Sequence, residues 1–377
     1  MLRLTPQKSK RCYKILIITF LVLDYVIFFL NSSLNNLKFL DTLRLTAALL
    51  IAIMYMLRVF LNKYIFSTWL KISAILVLTL LAWKFHLNLI VKVMLLSLAM
   101  SLLSPQEIFK TVGISTTITV IIGAITSILG ITPLWVNGHT LVLGFGYKNT
   151  LGLFLFTMSS YFIYIFNNNR IQKIIAYVVF IISFLIDWYL IGDRTIAISM
   201  LLLIIIKIMY IKREKATKMW ACLPIILLML SIFLSWKYTG SDLWNIIDNA
   251  LSYRLRIWNY VWQHKSINLL PQDLTFNDIA LGGIIFWGIL PIDGFFALGS
   301  LVYGIIYFSI LMIFLIYLLW KLVSKKELFG LFPYALCFVM TGFSELSAIG
   351  YTTSWLLPAT VCIYLNAYTQ KDHHKNK

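Results

Sequence analysis

An always-charged guanidinium grips phosphate oxygens through two parallel hydrogen bonds. Arginines in an apolar chain are therefore the first residues to weigh. Arg194 stands in Asp187-Trp188-Tyr189-Leu190-Ile191-Gly192-Asp193-Arg194-Thr195, and Arg254 and Arg256 stand in Ser252-Tyr253-Arg254-Leu255-Arg256-Ile257-Trp258. Residues two apart on a helix point in different directions, so at most one of that pair aims into a given site, and Arg254 is favoured. Lys148 and Asn149 close Gly144-Phe145-Gly146-Tyr147-Lys148-Asn149-Thr150 and open a helix. A helix start offers free N–H groups and the positive end of a dipole, which suit an anion. His139, His264, Asp293 and Glu345 are candidate bases able to take a proton from a hydroxyl. Each has a plainer reading. Arg194 can pair with Asp193 or Asp187, the other arginines can anchor headgroups, Lys148 can snorkel while Asn149 caps, and a loop histidine is usually just solvated. A carboxylate at the depth of Glu345 needs a partner or water, so a structural ion pair is its plainer role.

The elements that must position these residues are membrane helices. Hydrophobic residues make up 60% of the 377 residues and charged residues 12%, where a soluble domain carries about 25% charged. Apolar runs long enough to cross a bilayer recur from end to end. They predict helices near 14–30, 44–61, 65–83, 87–103, 110–129, 149–166, 173–190, 195–211, 218–236, 297–320, 328–344 and 351–368. The expected fold is an all-α polytopic membrane protein of about twelve transmembrane helices in one domain, 1–377. A first outer loop covers 130–149, and a large extracytoplasmic loop, 237–296, precedes the late helices. The basic head followed by Ile15–Leu30 is expected to be a retained first helix, because no small-residue cleavage site follows it.

The net charge of +18 reports orientation. With both termini inside, the inner segments hold 21 basic residues against four acidic ones, and the outer segments balance to zero. That asymmetry is the positive-inside pattern and argues against nucleic acid as a partner. Asp24, Lys71 and Lys92 fall within spans, where pairing between helices or snorkelling is expected. Cys12, Cys222, Cys337 and Cys362 have no metal spacing. No P-loop, dinucleotide fingerprint or serine-nucleophile motif appears, so neither a cofactor nor a metal is expected. In the large loop, Trp244–His264 lacks Pro and Gly. It predicts one surface-lying helix with Ile247, Leu251, Leu255 and Trp258 on its apolar face and Arg254 beside that face at headgroup level.

Five segments, in order, resemble the bacterial O-antigen and capsule polysaccharide polymerases (Wzy), within the broader family that includes O-antigen ligase. They are Gly144–Asn149 opening a helix, Gly192-Asp193-Arg194-Thr195 before a helix, Tyr253–Trp258 in the long loop, Asp293-Gly294-Phe295-Phe296 with Tyr303-Gly304, and Gly342-Phe343-Ser344-Glu345. The resemblance covers about residues 135–350. It implies a metal-independent glycosyltransferase of the bacterial cytoplasmic membrane that joins polyprenyl-diphosphate-linked repeat units on the outer face. Arg194, Arg254, Asp293 and Glu345 would be catalytic. Lys148, Asn149, Arg256 and His264 would bind substrate. Membrane lipids, a flippase and a chain-length regulator are the partners that this reading implies. Pro291 and Ile292 precede Asp293 where ligases usually place a His, and Gly294 stands where the family has Asn. Both departures favour polymerase over ligase and leave the base open among Asp293, Glu345 and His264. The alternatives are a lipid-linked oligosaccharide flippase and a ligase.

Overall fold

The computed structural model describes residues 6–33, 46, 50, 51, 53, 55, 56, 66–85, 88–136, 138–145, 148–210, 218–251, 253–272, 279–281, 284–286, 294–343, 345 and 354–365. They form two compact units, each built almost wholly of helices. The first comprises Met1–Ala82, Asn88–Leu201 and Tyr351–Lys377, the second Trp83–Leu87 and Leu202–Gly350. Among the described residues, five helical stretches are long and apolar enough to cross a membrane: Phe66–Lys84, Pro105–Ile128, Arg170–Ile191, Lys218–Lys237 and Phe295–Ser324. The expected helix at 44–61 lies outside the described residues except for isolated positions.

In the first unit, α1 (Pro6–Ser33) and α5 (Lys148–Ile165) pack on α4 (Pro105–Ile128). The helix α4 starts at a capping box, in which the Ser104 and Glu107 side chains each accept from the other residue's backbone N–H. Those bonds satisfy donors that a helix start leaves open. Its many hydroxyls turn inward on their own helix: Thr116, Thr117 and Thr119 donate to carbonyls one turn back. Such internal satisfaction lets polar residues sit in an apolar setting. The helices α2 (Phe66–Lys84), α3 (Asn88–Met100) and α13 (Leu356–Leu365) complete the unit. Here α13 packs on α3 and α4, and Trp355 meets Phe109 edge-on at 4.8 Å. Lys71 donates to the Tyr364 carbonyl at 3.1 Å, so this lysine within an apolar helix ties helix to helix. A two-residue antiparallel hairpin, β1 (Trp135–Val136) with β2 (Thr140–Leu141), interrupts the first loop.

The helix α6 (Arg170–Leu185) carries a narrow inward stripe, Ala176, Phe180 and Ser183, continued by Asp187. The spacing of four, three and four keeps these residues on one helix face. Ile171, Ile174, Ile175, Val178, Ile181 and Ile182 are exposed around it. A soluble protein would cover so broad an apolar face, whereas lipid leaves it stable. A π-turn, Ile186–Ile191, follows and leads into α7 (Arg194–Met209).

In the second unit, α8 (Leu223–Lys237), α10 (Arg254–His264) and α12 (Phe332–Thr341) pack around α11 (Phe295–Ser324). A second small hairpin, β3 (Ile279–Leu281) with β4 (Ile284–Phe286), lies in the large loop. The apolar run at 297–320 is longer than expected and is broken inside. Gly304 sits at φ 71°, ψ 162°, a conformation essentially restricted to glycine. The chain at 268–272 crosses the break. Ile305 and Ile306 donate to the carbonyls of Asn268 and Leu269 at 2.9 and 3.2 Å, and Gln272 donates back to Val302. The loop backbone thus takes up groups that the broken helix frees. A Cβ at residue 304 would meet the Leu270 carbonyl carbon at 2.4 Å. Gly304→Ala is therefore expected to lower the melting temperature of the detergent-solubilised protein and to speed proteolysis within 266–272. Unchanged melting and cleavage would show that the crossing is dispensable.

The segment Trp244–His264 is two helices, α9 (Asp242–Ala250) and α10, rather than one. Tyr253 takes a left-handed conformation at φ 65° between them. The apolar face does not lie on lipid. Leu255, Trp258 and Val261 pack on Ala297, Leu298 and Leu301, with Ile247 and Leu251 at the edge. Burying a side chain of this size stabilises by about 1.5–3 kcal/mol, which fixes α10 to the start of α11.

Candidate anion site and buried ion pairs

Arg194 is the first residue of α7, and its side chain is exposed. The residue before it, Asp193, is buried and turns back on the helix start. Its Oδ1 accepts from the Thr195 hydroxyl at 2.7 Å and from the Ile196 N–H at 3.4 Å. These bonds hold the first turn in place. Among the described residues, neither Asp187 nor Asp193 pairs with Arg194: both Asp187 oxygens and Asp193 Oδ2 have no hydrogen-bond partner. The salt-bridge reading of Arg194 is thereby removed, and its guanidinium faces outward without a carboxylate.

Lys148 is the first residue of α5 and is exposed, while Asn149 is half-buried. One turn on, Gly152 meets the carboxylates of Asp187 and Asp193: a Cβ there would lie 2.7 Å from Asp187 Oδ1 and 3.2 Å from Asp193 Oδ2. Only glycine permits that approach. It brings Asp193, which precedes α7, against the second turn of α5; Lys148 opens α5 and Arg194 opens α7. Each of these two helix starts carries a positive dipole end and opens with an exposed cation, features that suit an anion. His139, in the turn of the first hairpin, is also exposed.

The second unit holds the other candidates. Arg254 is buried, and its Nη2 pairs with Glu345 Oε1 at 2.5 Å. Its Nη1 donates to the Leu251 carbonyl at 3.3 Å. The partner that Glu345 needs is therefore Arg254, which is buried rather than exposed beside an apolar face. The reason is the inward turn of α10, which buries Trp258 against Phe343, two residues before Glu345. Arg256 points elsewhere, as the two-residue spacing requires. Its Nε donates to Asp248 Oδ2 at 2.6 Å, and the guanidinium lies over the Tyr253 ring at 4.8 Å. The hydrogen bond to the Asp248 carboxylate raises the guanidinium pKa above its ordinary value. Asp248 does more: its Oδ1 accepts from the N–H groups of Leu255 and Arg256, at 2.8 and 3.2 Å, capping α10 from α9.

His264 is exposed at the end of α10. Its ring stacks on Tyr260 at 4.0 Å, with Nδ1 2.8 Å from the Tyr260 carbonyl. Asp293 lies outside the described residues. Among the described residues, no group of three or more His, Cys, Asp or Glu could hold a metal.

Sequence reasoning passed over Asp187, Asp193 and Asp248 as site residues. Asp187 and Asp193 are six residues apart, a spacing that faces nothing on a regular helix. The π-turn and the left-handed Gly192 at φ 71° bring them together. Comparison of the chain with family models, with curated proteins and with solved structures finds no match.

Proposed function

We propose that the chain is a polysaccharide polymerase that joins polyprenyl-diphosphate-linked oligosaccharide repeat units on the outer face of a bacterial cytoplasmic membrane. The observation that carries this reading is the approach of Asp193, just before α7, to α5, two helices that open with exposed Arg194 and Lys148. The ordered motifs resembling polymerases support it. In this account twelve spans place both termini in the cytoplasm and the 130–149 and 237–296 segments outside. The whole basic excess then faces inward and the arginines of the outer segments serve another purpose.

The reaction transfers a growing glycan from its lipid diphosphate to a hydroxyl of the next lipid-linked repeat. The C–O bond to the diphosphate breaks, a new glycosidic bond forms, and the acceptor proton leaves. Polyprenyl diphosphate departs as an anion, so cations preplaced at its oxygens stabilise the transition state more than the ground state. Arg194 and Lys148 take that role. Asn149 contributes a polar contact to the substrate there, and the resemblance, not any contact between the two units, assigns Arg256 to substrate binding and the base to one of Asp293, Glu345 and His264. Glu345 can serve only by leaving Arg254, and His264 only by its exposed edge. The lipid diphosphate stores the free energy of transfer, so neither nucleotide nor metal is required.

Deletion of the gene tests this reading. Cells are expected to lose long glycan and to accumulate single lipid-linked repeats that are accessible to label from outside. Repeats trapped on the inner face would instead indicate a flippase. Full-length polymer left unattached would indicate a ligase.

A further inference from the structure

Asp187 and Asp193 do not belong to the anion site in an obvious way, since two carboxylates oppose anion binding. They are nonetheless built into its floor. Asp187 is fully buried and Asp193 is 4% exposed. Asp187 Oδ1 and Asp193 Oδ2 both face Gly152, where a Cβ would occupy the space between them. The local backbone makes this juxtaposition. The Gly192 and Asp193 N–H groups both donate to the Asp187 carbonyl, at 2.9 and 3.3 Å, so the chain returns to Asp187 as the π-turn closes. Such π-turns are rare and cluster at functional sites. Three of the four carboxylate oxygens have no hydrogen-bond partner among the described residues. Only Asp193 Oδ1 is used, by Thr195 and Ile196.

Unpartnered carboxylate oxygens in a buried place are costly, and two negative charges there are costlier still. Among the described residues the surrounding elements supply no compensating cation. His139 beside β2, Lys148 on α5, Tyr189 in the π-turn and Arg194 on α7 are exposed. The charges of α6, Arg170 and Lys173, sit at its opposite end. Asp24, buried on α1, makes no hydrogen bond to these oxygens. A divalent metal needs more ligands than two carboxylates provide, and among the described residues no third acidic, histidine or cysteine side chain joins them. A proton needs only one donor oxygen and one acceptor oxygen. Carboxylate pairs of this kind hold one proton between them.

We propose that Asp187 and Asp193 form a proton-binding site beneath the start of α7. Proton uptake converts the Asp187 carboxylate to the acid, which faces Asp193 Oδ2 at Gly152; release returns the proton to water and leaves two anions. The pair keeps one negative charge when loaded, which balances the two positive helix ends above it. Deprotonation adds a second charge next to Arg194. The site is thus a proton-sensitive floor for the helix start that carries Arg194.

Infrared spectroscopy of the purified full-length protein in detergent tests this directly. The wild type near pH 7 is expected to show the carbonyl stretch of a protonated carboxylic acid, shifted in heavy water, and Asp187→Asn is expected to lose it. The Asn amide is neutral like the acid but does not titrate, so this variant should also hold its melting temperature as pH rises from about 6 to 9, while the wild type falls. Absence of the band from the wild type overturns the proposal without any variant. So does its retention in Asp187→Asn, or a wild-type melting temperature that rises with sodium but not potassium and ignores pH. None of these readings depends on glycan synthesis.

Discussion

Arg254→Ala is expected to destabilise the protein by about 3–5 kcal/mol, because it strands Glu345 in a buried place without its cation. Both side chains are only 6% exposed, and the pairing distance is 2.5 Å. Unfolding in detergent, followed by tryptophan fluorescence, measures the loss. The double variant Arg254→Met with Glu345→Gln supplies the control. It removes both charges and keeps side-chain volume, so it should recover much of the stability that the single change loses. A single variant as stable as wild type would mean that the pair is solvated. Long glycan should also disappear in Arg254→Ala, but the fold accounts for that loss, since a guanidinium already neutralised by Glu345 has little charge to offer a diphosphate. Recovery of glycan in the double variant would place Arg254 in support of the site rather than in contact with substrate.

Arg194→Ala is expected to do the reverse. The side chain is exposed and makes no ion pair among the described residues. Insertion and melting temperature should therefore stay at wild-type values. Polymerisation should fall by about tenfold to a hundredfold, the value of one charge-assisted contact to a leaving diphosphate. Arg194→Lys should recover part of the rate, because it restores the charge but not the two-pronged geometry. The readout is the length distribution of lipid-linked glycan together with membrane abundance. Wild-type polymer from Arg194→Ala would remove this residue from the site.

The helical character was legible because lipid demands it: long apolar runs such as 105–128 and 170–191 have few other stable forms in a bilayer. The breaks were not legible. At Gly304 a glycine inside an apolar run reads as an ordinary helix position. What opens the helix is the loop at 268–272, whose crossing no local pattern reports. Tyr253 gives no hint of a left-handed backbone. The turn is imposed from α9, where the Asp248 carbonyl and carboxylate collect the N–H groups of Tyr253, Leu255 and Arg256. The two arginines of that segment were separable by spacing alone, and they do point to different acids. The pairing of Arg254 with Glu345 was not readable, since 91 residues separate them. The need of Glu345 for a partner was. Arg194 and Lys148 stood out by charge and by helix-start position, whereas the approach of the segment before α7 to α5 depends on Gly152 accepting two carboxylates.

Reconstitution tests the central claim most directly. The purified chain is placed in liposomes with a polyprenyl-diphosphate-linked repeat unit and with neither nucleotide nor divalent metal. A ladder of longer lipid-linked glycans, with release of one polyprenyl diphosphate per linkage, is the predicted result. Repeat units that cross the bilayer but never lengthen would contradict it.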